Sequence, residues 1–202
     1  MKPTIFCLIT VTFLTGCSGG PAALKPPYLA PETAAAEAIE LYDTDRDGVL
    51  SLAELDACPG ILASIAVYDL NNDKKVSAEE ISQRLQKFVD SKIAIGRLIV
   101  SVQLDHRPLE NATVRFIPEP YLGEEIKPAT GQTNSAGTAA MRVPEEDLPE
   151  AQKGMAGVHN GTYRVEITHP TISIPAKYNT ETTLGFEPAP ASIRVKFELK
   201  SR

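Results

Sequence analysis

Apolar residues recur at helical spacing up to about residue 90 and at every second position beyond about residue 95, so the chain changes structural class once along its length. In the first stretch, Ala35, Ile39 and Tyr42 share one face of a predicted helix over Glu32–Tyr42. Ile81, Leu85, Phe88 and Val89 make a stripe at i, i+4, i+7 and i+8 on a later one. Between them Cys58-Pro59-Gly60 interrupts the chain before the short apolar run Ile61–Tyr68, because proline and glycine oppose one continuous helix. In the second stretch the predicted strands are Leu98–Gln103, Ala112–Ile117, Gly131–Thr133, Thr138–Val143, Thr162–Thr168, Thr182–Phe186 and Ile193–Leu199. The last alternates cleanly, with Ile193, Val195, Phe197 and Leu199 on one face and Arg194, Lys196 and Glu198 on the other. Short strands separated by turn residues predict a two-sheet sandwich of about seven strands. The expected fold class is α+β in two domains, an all-α helical pair over 32–90 followed by an all-β sandwich over 96–202. The join from Lys87 to Gly96 lacks a Gly/Pro-rich linker, which predicts that the two halves pack or continue rigidly.

Each helical repeat contains an acidic loop. Asp43-Thr44-Asp45-Arg46-Asp47-Gly48-Val49-Leu50-Ser51-Leu52-Ala53-Glu54 has aspartates at positions 1, 3 and 5, a turn glycine at 6 and a glutamate at 12. That spacing lets one segment wrap a calcium ion, which takes six to eight hard oxygen ligands. The Val49 carbonyl would serve at position 7, and Ser51 at position 9 through a water. A second loop, Asp69–Glu80, offers Asp69, Asn71 and Asp73 at positions 1, 3 and 5, the Lys75 carbonyl at 7, Ser77 at 9 and Glu80 at 12. Asn71 removes one charge, and Lys74 stands where the turn wants glycine, at a cost of roughly 1–2 kcal/mol. Ser51-x-x-Glu54 and Ser77-x-x-Glu80 both read as capping boxes that open the leaving helices. Leu50 and Val76 sit at position 8, where paired loops join through a short strand. The unit resembles the compact EF-hand pairs of bacterial envelope proteins. Dockerins also repeat such a loop but usually end it in aspartate, whereas both loops here end in glutamate. The resemblance implies one or two bound Ca2+ ions, the tighter in the first loop.

The first residues carry a different signal. Met1-Lys2 followed by the apolar run Ile5–Leu14 matches a secretory leader and is too short to span a bilayer. Leu14-Thr15-Gly16-Cys17 resembles a bacterial lipobox, which implies removal of residues 1–16 and lipidation of Cys17. Residues 17–31, rich in Gly and Pro, would then tether the folded part to the membrane. Ser18 after the cysteine is, by the same resemblance, compatible with outer-membrane delivery. The implied location is the bacterial cell envelope, lipid-anchored on the periplasmic or surface side. Cys7 would leave with the leader, so Cys58 is the single thiol of the mature chain and no disulfide framework is possible. Cys58, with no histidine near it in sequence, reads as a small packing residue rather than a nucleophile.

Several short pieces of the second half, in order, resemble the prealbumin-like, carboxypeptidase-regulatory-like β-sandwich of small bacterial lipoproteins. They are Asn111–Pro118, Thr133-Asn134-Ser135-Ala136-Gly137-Thr138, Gly161–Ile167 and Ile174-Pro175-Ala176-Lys177-Tyr178-Asn179. That family's domain has no catalysis of its own. No enzyme motif emerges either: His106, His159 and His169 lack metal-ligand partners in sequence and are expected in solvated loops, and no phosphate loop or nucleophile elbow is present. A net charge of −6 disfavours nucleic acid. The functional expectation is a calcium-binding, lipid-anchored envelope protein acting as a non-catalytic binding or structural module, without a small-molecule substrate. Its expected partners are the membrane and a protein of the envelope. The alternative is a calcium-dependent switch that exposes a partner-binding face of the helical pair. An enzyme of unrecognised chemistry is the distant third.

Overall fold

The computed structural model describes residues 24–188 and 194–202. The predicted leader, the predicted lipidation site Cys17, the first part of the predicted tether and Ile193 lie outside the described residues. Helix α1 (Pro31–Tyr42) opens on a proline and carries Glu32 in its first turn, which suits the positive end of the helix dipole. Its buried residues are Ala34, Ala35 and Ala38, and these small side chains let it pack closely on α5 (Ala78–Ser91). Helix α5 buries Ile81, Leu85 and Phe88, each contributing about 1.5–3 kcal/mol if fully removed from water. Val89, predicted to belong to the same buried stripe, is instead exposed. The stripe turns away from the core at its last position and meets a surface cleft.

Between α1 and α5 the chain makes three single-turn helices, α2 (Leu52–Leu55), α3 (Pro59–Leu62) and α4 (Ile65–Tyr68). Cys58 and Ser64 interrupt them, and Pro59 starts α3 rather than merely ending α2. Both predicted capping boxes are formed, Ser51 with Glu54 on α2 and Ser77 with Glu80 on α5. Strands β1 (Val49–Ser51) and β2 (Lys75–Ser77) pair antiparallel with Leu50 opposite Val76, as their positions in the loops predict. Both side chains are fully buried.

The remainder is two four-stranded sheets, so the chain is α+β. The first sheet holds β3 (Ile99–Leu104), β4 (Arg107–Pro108), β7 (Thr138–Ala140) and β10 (Arg194–Leu199). The second runs β6 (Ala129–Gln132), β5 (Thr113–Pro118), β8 (Tyr163–Thr168), β9 (Gly185–Phe186). Every predicted strand falls on an observed one, and β4 is the addition. The pairing of β3 with β10 is parallel over six residues, whereas all other strand pairs are antiparallel. Phe116 of the second sheet meets Phe197 of the first edge-on, with ring centroids 6.3 Å apart.

The helical residues do not keep a core of their own. One contiguous cluster of buried apolar side chains runs from Ala34 through Ile61 and Leu85 to Phe116, Tyr163 and Leu199. Two glycines make this close fit possible. A Cβ on Gly60 would lie 2.9 Å from the Tyr163 nitrogen, and one on Gly185 would lie 1.7 Å from the Pro59 carbonyl oxygen. The Pro59-Gly60 pair that reads in sequence as a chain breaker is therefore also where the helical part seats on β8 and β9. No described helix is long and apolar enough to cross a membrane.

Candidate functional site

The two acidic loops fold on one backbone template. Left-handed residues fall at matching positions, Arg46 (φ 61°) and Gly48 (φ 88°) in the first and Asn72 (φ 61°) and Lys74 (φ 66°) in the second. Lys74 thus adopts a conformation that glycine takes freely and an L side chain resists. In both loops the acids turn inward because backbone N–H groups hold them. Asp43 accepts from Arg46 N (2.7 Å) and Gly48 N (2.9 Å), and Asp69 from Asp73 N (3.1 Å) and Lys74 N (2.9 Å). Asp47 accepts from Val49 N at 3.0 Å, and Asp73 from Lys75 N at 2.8 Å.

The first loop brings one oxygen each of Asp43, Asp45 and Asp47 within 4.8 Å of one another, a group that could hold a metal ion. All three donors are carboxylate oxygens, with no nitrogen or sulfur among them, and this set suits a hard cation. Glu54, the fourth predicted carboxylate, stands apart from that group. Its Oε1 accepts from Thr44 N at 2.7 Å, and its Oε2 from Ser51 N at 2.9 Å and Ser51 Oγ at 2.8 Å. Those bonds, Ser51 N–H first, depress its pKa to about 2. Val49, whose carbonyl is the predicted seventh-position ligand, starts β1.

In the second loop Asn71 replaces the middle carboxylate, and among the described residues no group of three acids gathers there. Asn71 accepts from Asp73 N at 2.9 Å and donates to Asp73 Oδ2 at 3.0 Å. Glu80 repeats the Glu54 arrangement, accepting from Leu70 N (3.0 Å) and from Ser77 N and Oγ (both 2.8 Å). Lys75 is placed where its carbonyl is wanted, but its ammonium leaves its own loop and pairs with Asp47 Oδ2 at 2.7 Å. That hydrogen bond is the main reason the Asp47 carboxyl titrates below the usual range.

Behind the loops lies a buried polar layer. Glu119, fully buried, accepts from Gly60 N at 3.1 Å and from Tyr42 Oη at 2.9 Å, with Arg164 Nε 3.8 Å away. Burial raises its pKa above the ordinary carboxylate value. Glu187 pairs with Arg84 of α5. The Cys58 thiol is fully buried beside Glu119, and burial, then that charge, push its pKa far up, so it stays protonated at neutral pH.

One residue overturns a sequence expectation. His159 is buried, not solvated: it is 3% exposed, its Nδ1 accepts from Lys127 N at 3.1 Å, and burial lowers its pKa to about 4. Together with Gln152, Lys25 and Tyr28 it lines an open cavity of about 610 Å³. Gln152 donates to the Lys25 carbonyl at 2.8 Å. Neither residue belongs to a recognisable motif, so no sequence signal marked them. No protein-family model matches the chain, and no curated protein does either.

Proposed function

We propose that this chain is a calcium-binding, lipid-anchored protein of the bacterial envelope that works by binding and shape rather than by catalysis. In this reading residues 32–90 are an EF-hand pair and residues 96–202 a prealbumin-like, carboxypeptidase-regulatory-like sandwich. The observation that carries it is the convergence of Asp43, Asp45 and Asp47 on a loop whose backbone is repeated, turn for turn, in a second loop paired to it through Leu50 and Val76. Asp43, Asp45, Asp47, the Val49 carbonyl and Glu54 would hold the first ion. Asp69, Asn71, Asp73, the Lys75 carbonyl and Glu80 would hold the weaker second. Calcium supplies positive charge that removes repulsion among the carboxylates and so stabilises the folded loop. The anchor is the Cys17 lipid, and a protein partner would bind the module at the membrane.

Calorimetric titration of calcium into the full chain tests this reading. Affinities near 10⁻⁴–10⁻³ M are expected, as for extracellular calcium modules. Asp43→Ala should remove the tighter phase and Asp69→Ala the weaker one. If neither substitution changes uptake, the calcium assignment is wrong. Separately, Cys17→Ser should abolish incorporation of a fatty-acid label, and label that persists would reject the anchor.

A further inference from the structure

The residue before the first aspartate of each loop is a tyrosine, Tyr42 before Asp43 and Tyr68 before Asp69. The first of them reaches a buried carboxylate of the β part. Tyr42 Oη donates to Glu119 Oε2 at 2.9 Å, while Glu119 Oε1 takes the Gly60 N–H. Tyr42 ends α1, the helix that enters the first loop, and Gly60 lies in α3, the helix after the one that leaves it. The second loop carries only part of this plan. Arg84, on the leaving helix α5, donates from Nε to Glu187 Oε1 at 2.9 Å. Tyr68, ending the entering helix α4, is fully buried, but its Oη and Glu187 Oε2 each lack a hydrogen-bond partner.

We propose that Glu119 is a positioning residue for the first cation loop. From outside the loop its carboxylate ties Tyr42, on the entering flank, to Gly60, beyond the leaving helix. This restrains the span between the first aspartate and the twelfth-position glutamate, Asp43 to Glu54. Glu119 would not touch the ion; it acts through Tyr42 and Gly60. It comes from the β part, so the sheets help to hold the loop in a shape that the helices alone do not define. The second loop, whose Tyr68 makes no such bond, is the internal control. A loop whose flanks are held loses less freedom when it closes on an ion, and so binds it more tightly. The inference rests on the calcium reading.

Its test is a calcium titration of the full chain followed by NMR at two amides, Gly48 and Lys74, whose N–H groups donate to Asp43 and Asp69 and so report each loop separately. Tyr42→Phe deletes one donor and should weaken first-loop binding about tenfold, the low end of the loss expected for a hydrogen bond to a charged group, with the second loop unchanged. Tyr68→Phe removes a hydroxyl without a partner and should leave both affinities unchanged. Glu119→Gln preserves an acceptor and the side-chain shape, and should keep most of the wild-type first-loop affinity. A Tyr42→Phe effect equal on both loops would reduce the bond to a general stabiliser and overturn the proposal, as would unchanged first-loop affinity in that variant. If the wild-type Gly48 and Lys74 resonances do not respond to calcium, the calcium reading itself falls and takes this inference with it.

Discussion

The two acidic loops have the same backbone and the same inward-turned acids, yet they neutralise charge in different ways. The first gathers three carboxylates and borrows a cation from outside, the Lys75 ammonium on Asp47. The second carries its compensation internally, with an amide at Asn71 and a lysine at the turn. Each is an answer to the same problem, the repulsion among acids folded onto a few ångströms of chain. The comparison teaches that backbone conformation and charge are separable here. Lys74 shows that the turn forms without glycine, so the glycine of the first loop matters for its lower strain and for leaving the site's charge intact.

The largest disturbance comes from the seat beneath the first loop. Gly185→Ala would drive a Cβ into the Pro59 carbonyl, a backbone atom that cannot step aside. A loss of about 3 kcal/mol in urea unfolding is expected, and first-loop affinity should fall more than second-loop affinity. A stability unchanged within error would show that α3 does not seat there. Acid offers a smaller disturbance, one that belongs to neither loop. His159 has a folded pKa of about 4 against an ordinary value of 6.5, so its protonation favours the unfolded chain. Its burial is tolerated fully above pH 6.5, and the resulting stability is lost as pH falls from 6.5 through 4, by about 3 kcal/mol. His159→Asn, which keeps an acceptor for Lys127 N–H, should be flatter over that window. Equal slopes for the two proteins would show that His159 is not the titrating group.

Two exchanges then sharpen the contrast between the loops. Lys74→Gly relieves roughly 1 kcal/mol of left-handed strain and removes a positive charge, so second-loop affinity should rise about fivefold. An unchanged value would mean that Asn71, not the turn, sets the weakness. Lys75→Gln removes the borrowed cation from Asp47. The pair is exposed and screened by solvent, so first-loop affinity should rise only about twofold, and more at low salt. A fall in affinity would mean that the ammonium organises the site instead of competing for it.

Much of this was legible in the sequence because it is local. The loop spacing, both capping boxes, the Leu50–Val76 pair and the strand positions depend on neighbours within a few residues or on a single long-standing periodicity. What escaped depends on side chains brought together from far along the chain. Tyrosine before each first aspartate is visible by eye, but Tyr42 meets Glu119 across 77 residues, and nothing in either segment announces the other. Burial of His159 is likewise set by what folds over it. Val89 fits the helical period and still lies outside the core, since a stripe says which face is apolar and not how far the partner extends along it. The glutamates at position 12 satisfy two patterns at once, ligand and capping box, and both capping boxes are formed.

The parallel pairing of β3 with β10 has a consequence for the order of assembly. Strand β3 lies between β10 on one side and β4 and β7 on the other, so its β10 side stays open until residues 194–199 have been made. A chain emerging from the ribosome can form the β5–β8 pair and the loop pair earlier, yet the first sheet cannot close. Closing contacts of such long sequence separation are slow. If the chain crosses a membrane unfolded, as the proposed leader would require, that delay would keep it threadable. Shortening it, for instance by moving β10 ahead of β3 in a circular permutant, should speed folding in the test tube and slow export in the cell.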